Sequence, residues 1–405
     1  MSAADAPASG VDLAGLYVHV PFCSAICPYC DFAVTTGNAR LRAGYVDSLL
    51  AELDAWSADA RERFGAFDTL YFGGGTPSAL EPALLSRVID ACRERFDLPS
   101  DAWLSLEANP EDVDAASVTS WRALGVRTVS LGAQSFDDAS LRRLGRRHDG
   151  RRARESVAIA LEAGFETVSV DLILGLPGQT LESWCRDLAT AIALEPHHVS
   201  CYQLTIHEST PFARQRAAGR LEELAEEAQA DLYARTHEDL AAAGFAAYEV
   251  SNFARGAEHR SAHNSKYWRH APYLGLGMSS HSFDGRRRWW NERAIGPYRD
   301  RVAAGELPIA GAETLNDAQL ALECVMLRLR TAEGLPLRCF HERFGVDLLG
   351  RNRAAIELLV AGGRAVLDES SLRLLPPGLA IVDAIVRGLQ VDPGYGDGGA
   401  GPKGR

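Results

Sequence analysis

Lysine is nearly absent: Lys266 and Lys403 stand alone among 42 basic residues. This excess of arginine reads as a bias of the coding sequence rather than a choice of forked contacts, and no function is drawn from it. Net positive charge is missing as well. The 54 acidic residues outnumber the 42 basic ones, leaving −12. That argues against a nucleic-acid partner, because affinity for a phosphate backbone comes mostly from net positive contacts. No apolar run reaches the roughly 18 residues that suggest a membrane-spanning helix. The opening MSAADAPASG has neither a basic region nor a hydrophobic stretch. It is no secretory signal, and the expected location is the cytoplasm. Eight cysteines in such a chain are not a disulfide framework.

What is present describes an ordinary globular protein of 405 residues, 46% apolar and 24% charged. At roughly 100–200 residues per domain the length suggests two or three domains. From 16 to 204, short β-branched runs alternate with amphipathic stretches. The runs at 16–20, 69–72, 104–108, 128–131, 167–174 and 198–204 read as strands. Between them, 40–64, 82–96, 115–124, 152–163 and 181–194 read as helices, with Gly125 and Gly164 placed where helices stop. Such repeats predict parallel strands joined by right-handed crossovers. The expected fold is α/β, a partial (β/α)6 barrel with its chemistry at the C-terminal ends of the strands. A charged helix is expected at 221–243, then a less regular stretch, 245–310, rich in His, Tyr, Trp and Gly. From 311 to 390 the pattern changes to three helices (318–330, 337–344, 351–361), a hairpin and a last helix at 377–389. This α+β domain fits either a winged helix or an irregular helical cap. The ends, 1–15 and 391–405, are expected to be disordered.

Cys92, Cys185, Cys201, Cys324 and Cys339 are scattered and read as small core residues. Cys23, Cys27 and Cys30 are different: they follow the first strand directly, in C-x3-C-x2-C spacing. Three thiolates on a [4Fe–4S] cluster leave its fourth iron without a protein ligand. An open metal position is what a reactive site needs, whereas structural zinc takes four ligands. Zinc remains an alternative if His19 or the cramped Asp31 completes the set, as do unligated thiols. Gly73-Gly74-Gly75-Thr76-Pro77 follows the second strand, where glycines let the backbone approach a ligand closely.

Taken with that glycine run, the cysteine spacing resembles the signature of the radical SAM superfamily. Across 16–390 the chain is similar to the oxygen-independent coproporphyrinogen III oxidase family. The resemblance rests on YVHVPFC, CPYCDF, YFGGGTP, Leu106 to Pro110, Ser130 to Phe136, Leu144-Gly145-Arg146 and Val170 to Pro177. It implies a [4Fe–4S] cluster on Cys23, Cys27 and Cys30, and S-adenosyl-L-methionine as a bound cofactor. It places Tyr17 beside the methionine part of that cofactor, Tyr29 against a nucleoside, and Gly74, Gly75 and Thr76 at the amino-acid end. Glu107 would accept from ribose hydroxyls. Gln134, Arg146 and Asp171 would line the pocket, Arg146 holding a carboxylate, and Gln203 would take a further strand-end position. Independently of family, Glu107 and Asp171 lie in apolar strands, where a buried lone carboxylate is costly without a task. Arg146 lies in an arginine-dense run, 142–154, that fits a solvated helix face equally well.

A second segment, His263-Asn264-Ser265-Lys266-Tyr267-Trp268, fits the H-N-x-x-Y-W pattern of HemW-type heme chaperones, and 273–282 resembles that group's glycine-rich segment. A neutral imidazole from His263 or His281 can ligate heme iron, and Tyr267 and Trp268 offer flat faces to a porphyrin. Alternatively, His263 and Asn264 tie down a loop. Two departures separate the chain from the oxidases: Cys30-Asp31-Phe32 stands where they carry a further cysteine, and few residues precede the motif where they have a longer segment. The expected function is therefore binding of heme and its delivery to acceptor proteins, a respiratory protein among the candidates. The alternative is oxidative decarboxylation of coproporphyrinogen III by a 5′-deoxyadenosyl radical. Another radical SAM reaction on an unrelated substrate is the third reading.

Overall fold

A computed structural model of the protein describes residues 12–392. Of the two ends expected to be disordered, only 12–15 and 391–392 fall within the described residues, and the first strand already begins at Ala14. The described residues divide into two compact units. The first comprises 12–246, 251–267 and 271–313, and the second 247–250, 268–270 and 314–392.

The first unit is built on six strands, β1 (Ala14–Val20), β2 (Phe67–Gly74), β3 (Trp103–Ala108), β4 (Val126–Gln134), β5 (Thr167–Leu174) and β6 (His198–Gln203). They lie side by side in chain order, every adjacent pair parallel. The crossovers carry α1 (Ala39–Phe64), α2 (Pro82–Phe96), α3 (Ala115–Ala123), α4 (Asp138–Arg143), α5 (Gly150–Glu162) and α6 (Leu181–Ala193). Parallel strands covered on both faces should be apolar almost throughout. β5 obeys this rule: Val168, Val170, Leu172 and Leu174 are wholly buried, and Asp171 alone in the strand is half-buried. Local signals start the helices. Asp114 with Ser117, and Thr180 with Ser183, form reciprocal capping boxes at α3 and α6. A side-chain cap of this kind is worth about 1 kcal/mol.

The sheet does not close. Beyond β1 it continues through Tyr273–Leu276, His281–Phe283, Arg287–Asn291 and Ile309–Thr314, and beyond β6 through Asn252–Ala254. All but Ile309–Thr314, which crosses its end, lie in the stretch 245–310 that the sequence marks as less regular. They are short, and Tyr273–Leu276 pairs parallel with β1 while His281–Phe283 runs antiparallel to Arg287–Asn291. The helix expected at 221–243 spans Glu226–Ala242, preceded by a separate short helix, Pro211–Ala217.

In the second unit, helices Asp317–Arg328, Leu337–Phe344 and Leu348–Ala361 are followed by the hairpin Ala365–Leu367 and Ser371–Leu374. The hairpin's second strand pairs with Leu335–Pro336 to make a small antiparallel sheet. That order is the one a winged helix has. The single helix expected at 377–389 is two, Pro376–Leu379 and Val382–Gly388, because Ile381 leaves helical geometry between them. Among the scattered cysteines Cys92 and Cys201 are core residues, Cys185 and Cys324 are half-buried, and Cys339 is exposed. No helix among the described residues is long and apolar enough to cross a membrane.

Candidate functional site

At the C-terminal ends of β1 to β6 the first unit encloses a cavity of about 490 Å³. Cys23, Cys27 and Cys30 form part of its wall, all three half-buried. Their loop is held at both ends. The Cys23 amide donates to the Thr35 carbonyl, 2.9 Å, and His19 reaches from β1 to the Ala33 carbonyl, 2.9 Å. Burial raises the thiol pKa values of Cys23 and Cys30, the latter to about 11. Among the described residues no three Cys, His or carboxylate side chains are already gathered around one metal position. The two candidates for a fourth zinc ligand are otherwise engaged. His19 is buried with its other nitrogen, Nδ1, 3.2 Å from the Tyr17 hydroxyl, and Asp31 faces His207 at 3.3 Å.

The glycine run belongs where it is by contact, not only by conformation. Gly75 donates to the Val20 carbonyl at 2.8 Å, and Thr76 to the Phe22 carbonyl at 2.8 Å. A Cβ on Gly75 would sit 2.8 Å from Val20 O and from Pro21 C, and one on Gly74 would strike the His19 ring at 2.4 Å. Gly74 also has φ +109°, which side-chain-bearing residues avoid. The run therefore packs the end of β2 against the start of the cysteine loop. There the Thr76 hydroxyl lies 3.5 Å from Cys23 Sγ.

Arg146 is not on a helix face. It lies past the end of α4, beyond Gly145, whose φ is +69°. Its guanidinium turns inward, donating to Asn109 Oδ1 at 2.5 Å, to the Gly132 carbonyl at 2.8 Å, and to Cys27 Sγ at 3.6 Å. It thus joins the ends of β3 and β4 to the cysteine loop, and its buried Nε has no hydrogen-bond partner. Glu107, at the end of β3, accepts from the Tyr71 hydroxyl at 2.8 Å and the Gly74 amide at 3.1 Å. Burial, with the Asp171 charge adding to it, pushes its carboxyl up to about 7. Asp171 accepts from the hydroxyls of Ser130, Ser169 and Ser200 at 2.7–3.2 Å, and burial raises its pKa too. Gln134 ends β4 with φ +66° at an interruption of the β4–β5 register. That conformation is uncommon for a non-glycine residue and gathers at functional sites.

Glu107, Gln134, Arg146, Asp171, Tyr29, Gln203, Gly74, Gly75 and Thr76 thus share the wall of one cavity with the three cysteines. Tyr29 leans on Phe212 and Gln203 bonds Gln229. Tyr17 and His263 are not in that wall. Tyr17 stacks on Tyr71 at 6.2 Å. His263 is buried, its Nδ1 3.0 Å from the Thr69 hydroxyl and its Nε2 2.8 Å from the Tyr267 hydroxyl, so both ring nitrogens are taken. Of the two roles expected for it, this conformation serves the tie. His281, the other candidate, lies outside the cavity wall with its ring 6.1 Å from Trp290.

The model of the radical SAM superfamily matches residues 17–191, and that of the HemN C-terminal domain matches 315–381. A heme chaperone HemW from Mycobacterium tuberculosis is 37% identical over 93% of this chain and 94% of its own. The chain belongs to the HemW family of radical SAM proteins. A second HemW heme chaperone, from Escherichia coli, is 34% identical over 79% of this chain and 83% of its own. Among solved structures, the coproporphyrinogen III oxidase HemN from Escherichia coli matches with a TM-score of 0.79 over 93% of this chain and 90% of that one, at 23% identity. That likeness shows the shared fold.

Two residues that fasten this HemW family site, Asn109 and His19, and one that fastens the sheet's extension, Glu52, show no such role in the sequence alone. Asn109 bridges Arg146 and Thr76, donating to the threonine at 3.0 Å. His19, weighed only as a zinc ligand, clamps the cysteine loop. Glu52 on α1 is buried and accepts from the Gly277 amide (2.7 Å), Asn291 (2.6 Å) and the Tyr298 hydroxyl (2.8 Å). The signal for Glu52 was a carboxylate on the apolar side of α1, between Leu49 and Leu53.

Proposed function

We propose that this protein binds heme and hands it to acceptor proteins, and that it carries a [4Fe–4S] cluster on Cys23, Cys27 and Cys30 with S-adenosylmethionine beside it. The observation that carries the heme reading is the 37% identity, across 93% of the chain, with a protein named a heme chaperone. The cofactor reading is supported by the donor set. Three thiols line one cavity, the Thr76 hydroxyl lies beside Cys23 and the Arg146 guanidinium beside Cys27, and a buried Arg146 N–H there lacks a partner. The Thr76 hydroxyl favours the Cys23 thiolate, the form that binds iron, against the burial that disfavours it. Drawing the thiols together is left to the exposed span Ser24 to Ile26.

When bound, a reduced cluster with an open corner supplies one electron to a sulfonium ligand. The rest is the work of the chain. Arg146 fixes the Cys27 side of the loop to the ends of β3 and β4, and Thr76 fixes the Cys23 side. The close passage of Gly74 and Gly75 against His19, Val20 and Pro21 holds the start of the cysteine loop to the end of β2. Glu107 and Asp171 present carboxylate oxygens to hydroxyl or ammonium groups, the three serines holding Asp171 in place. Acceptors in the cytoplasm or at a respiratory complex fit this reading. The oxidase alternative has the shared fold in its favour, but Asp31-Phe32 follows Cys30 where that family carries a further cysteine.

The test uses the full chain. Hemin should bind stoichiometrically, and holo-protein should load an apo-cytochrome in direct mixture but not across a dialysis membrane. Anaerobic conversion of coproporphyrinogen III to protoporphyrinogen IX, without heme uptake, would reverse the assignment.

A further inference from the structure

Most apolar side chains of the first unit are inside, yet a few large ones are left in solvent: Leu13, Ile26, Phe32, Leu181 and Tyr202. Three of these, Ile26, Phe32 and Tyr202, are not scattered. They lie on the wall of the cavity described above, with exposures of 53%, 63% and 43%. Clustered exposed apolar groups mark a binding surface, whereas single ones need no explanation.

A histidine stands among them. His207 also lines the cavity and is exposed. Its position is set by structure on both sides. Its carbonyl accepts from the Thr210 amide at 3.0 Å, and the Phe212 amide donates to Pro28 O at 3.0 Å, which ties this turn to the cysteine loop. Its Nδ1 lies 3.3 Å from Asp31 Oδ2. Asp31 is held in turn, its carbonyl accepting from Arg293 at 2.8 Å, and Arg293 is itself exposed. With a carboxylate close to Nδ1, the imidazole has Nε2 left for a metal. Such a carboxylate is the usual second partner of a ligating imidazole. His263, by contrast, has no nitrogen to give without breaking its bonds to Thr69 or Tyr267.

We propose that heme docks at this cavity mouth, with His207 Nε2 as an axial ligand to its iron, Ile26 and Phe32 against the macrocycle, and Arg293 facing a propionate. These groups select this occupant: an apolar rim for a flat hydrophobic ring, an imidazole for its metal, and a guanidinium for its carboxylate edge. The step is ligation alone. The Nε2 lone pair bonds to iron, the proton stays on Nδ1 facing Asp31, and no group is oxidised or reduced. The inference rests on the heme reading above and narrows it to one ligand.

The experiment is titration of the full-length protein with hemin, read as a Soret difference spectrum, for wild type, His207→Ala, Phe32→Ala and His263→Ala. Wild type and His263→Ala should show the same imidazole-ligated band. His207→Ala should lose that band and bind at least tenfold more weakly, and free imidazole should restore the band. Phe32→Ala should keep the band at lower affinity. If wild type takes up no heme, the heme reading fails as a whole. If wild type binds and His207→Ala matches it in band and affinity, or if His263→Ala alone loses the band, the reading survives and His207 as ligand is overturned.

Discussion

Glu52 offers a quantitative check on how the extension of the sheet is fastened to the barrel. The carboxyl is buried between α1 and the glycine-rich turn, and burial pushes its pKa from 4.5 up to about 7 despite three donors. The distance from 4.5 to about 7 corresponds to about 3 kcal/mol at ~1.36 kcal/mol per pH unit. The sign follows from proton binding. Between pH 4.5 and 7 the folded chain holds a proton that the unfolded chain has lost, so stability falls as pH rises through this window. The contribution is whole below 4.5 and gone above 7. Glu52→Gln removes the titration while keeping the shape, and any change in its hydrogen bonds is independent of pH. Urea unfolding followed by tryptophan fluorescence, at steps from pH 4.5 to 8, should show the Gln variant gaining about 3 kcal/mol on wild type across the series. A difference that stays level over that range would refute the assignment of a neutral, buried carboxyl.

The site makes further demands. Glu107 titrates near 7, so S-adenosylmethionine affinity measured by anaerobic calorimetry should rise roughly tenfold from pH 6 to pH 8 relative to a flat, weaker Glu107→Gln. Gly75→Ala forces a methyl against backbone at 2.8 Å, which should cost ~1–3 kcal/mol in thermal denaturation and abolish cofactor binding. Gly296→Ala, in open space, should do neither. Arg146→Met should lower the iron retained after reconstitution, whereas Arg142→Met, exposed on α4, should leave it at the wild-type level.

β5 was legible because its burial on both faces writes a continuous apolar run, which Asp171 interrupts visibly, and β4 because Val129, Leu131 and Ala133 alternate with less buried residues. The cysteine and glycine motifs were legible because each follows a strand directly. The added strands were not, since Arg287–Asn291 reads Arg-Arg-Trp-Trp-Asn with no alternation. The Asp284-Gly285 pair before it was the readable turn signal. Arg146 was ambiguous because periodicity cannot tell a helix face from the residue after it, and Gly145 was the mark of the boundary. His263 takes Thr69 from β2, far away in sequence, and His19 takes the Ala33 carbonyl from the loop after the cysteines, so a motif shows that these residues matter but not which way they face. His207, in the run Leu204-Thr205-Ile206-His207-Glu208, carries no local signal at all; only the fold brings Asp31 to it.

The central claim is a cluster with one corner free for a sulfonium ligand, held by three thiols in this cavity. Protein reconstituted without oxygen should contain about four iron and four sulfide per chain, and the electron paramagnetic resonance signal of the reduced cluster should change when S-adenosylmethionine is added. Absence of inorganic sulfide, or a signal indifferent to S-adenosylmethionine, would contradict it.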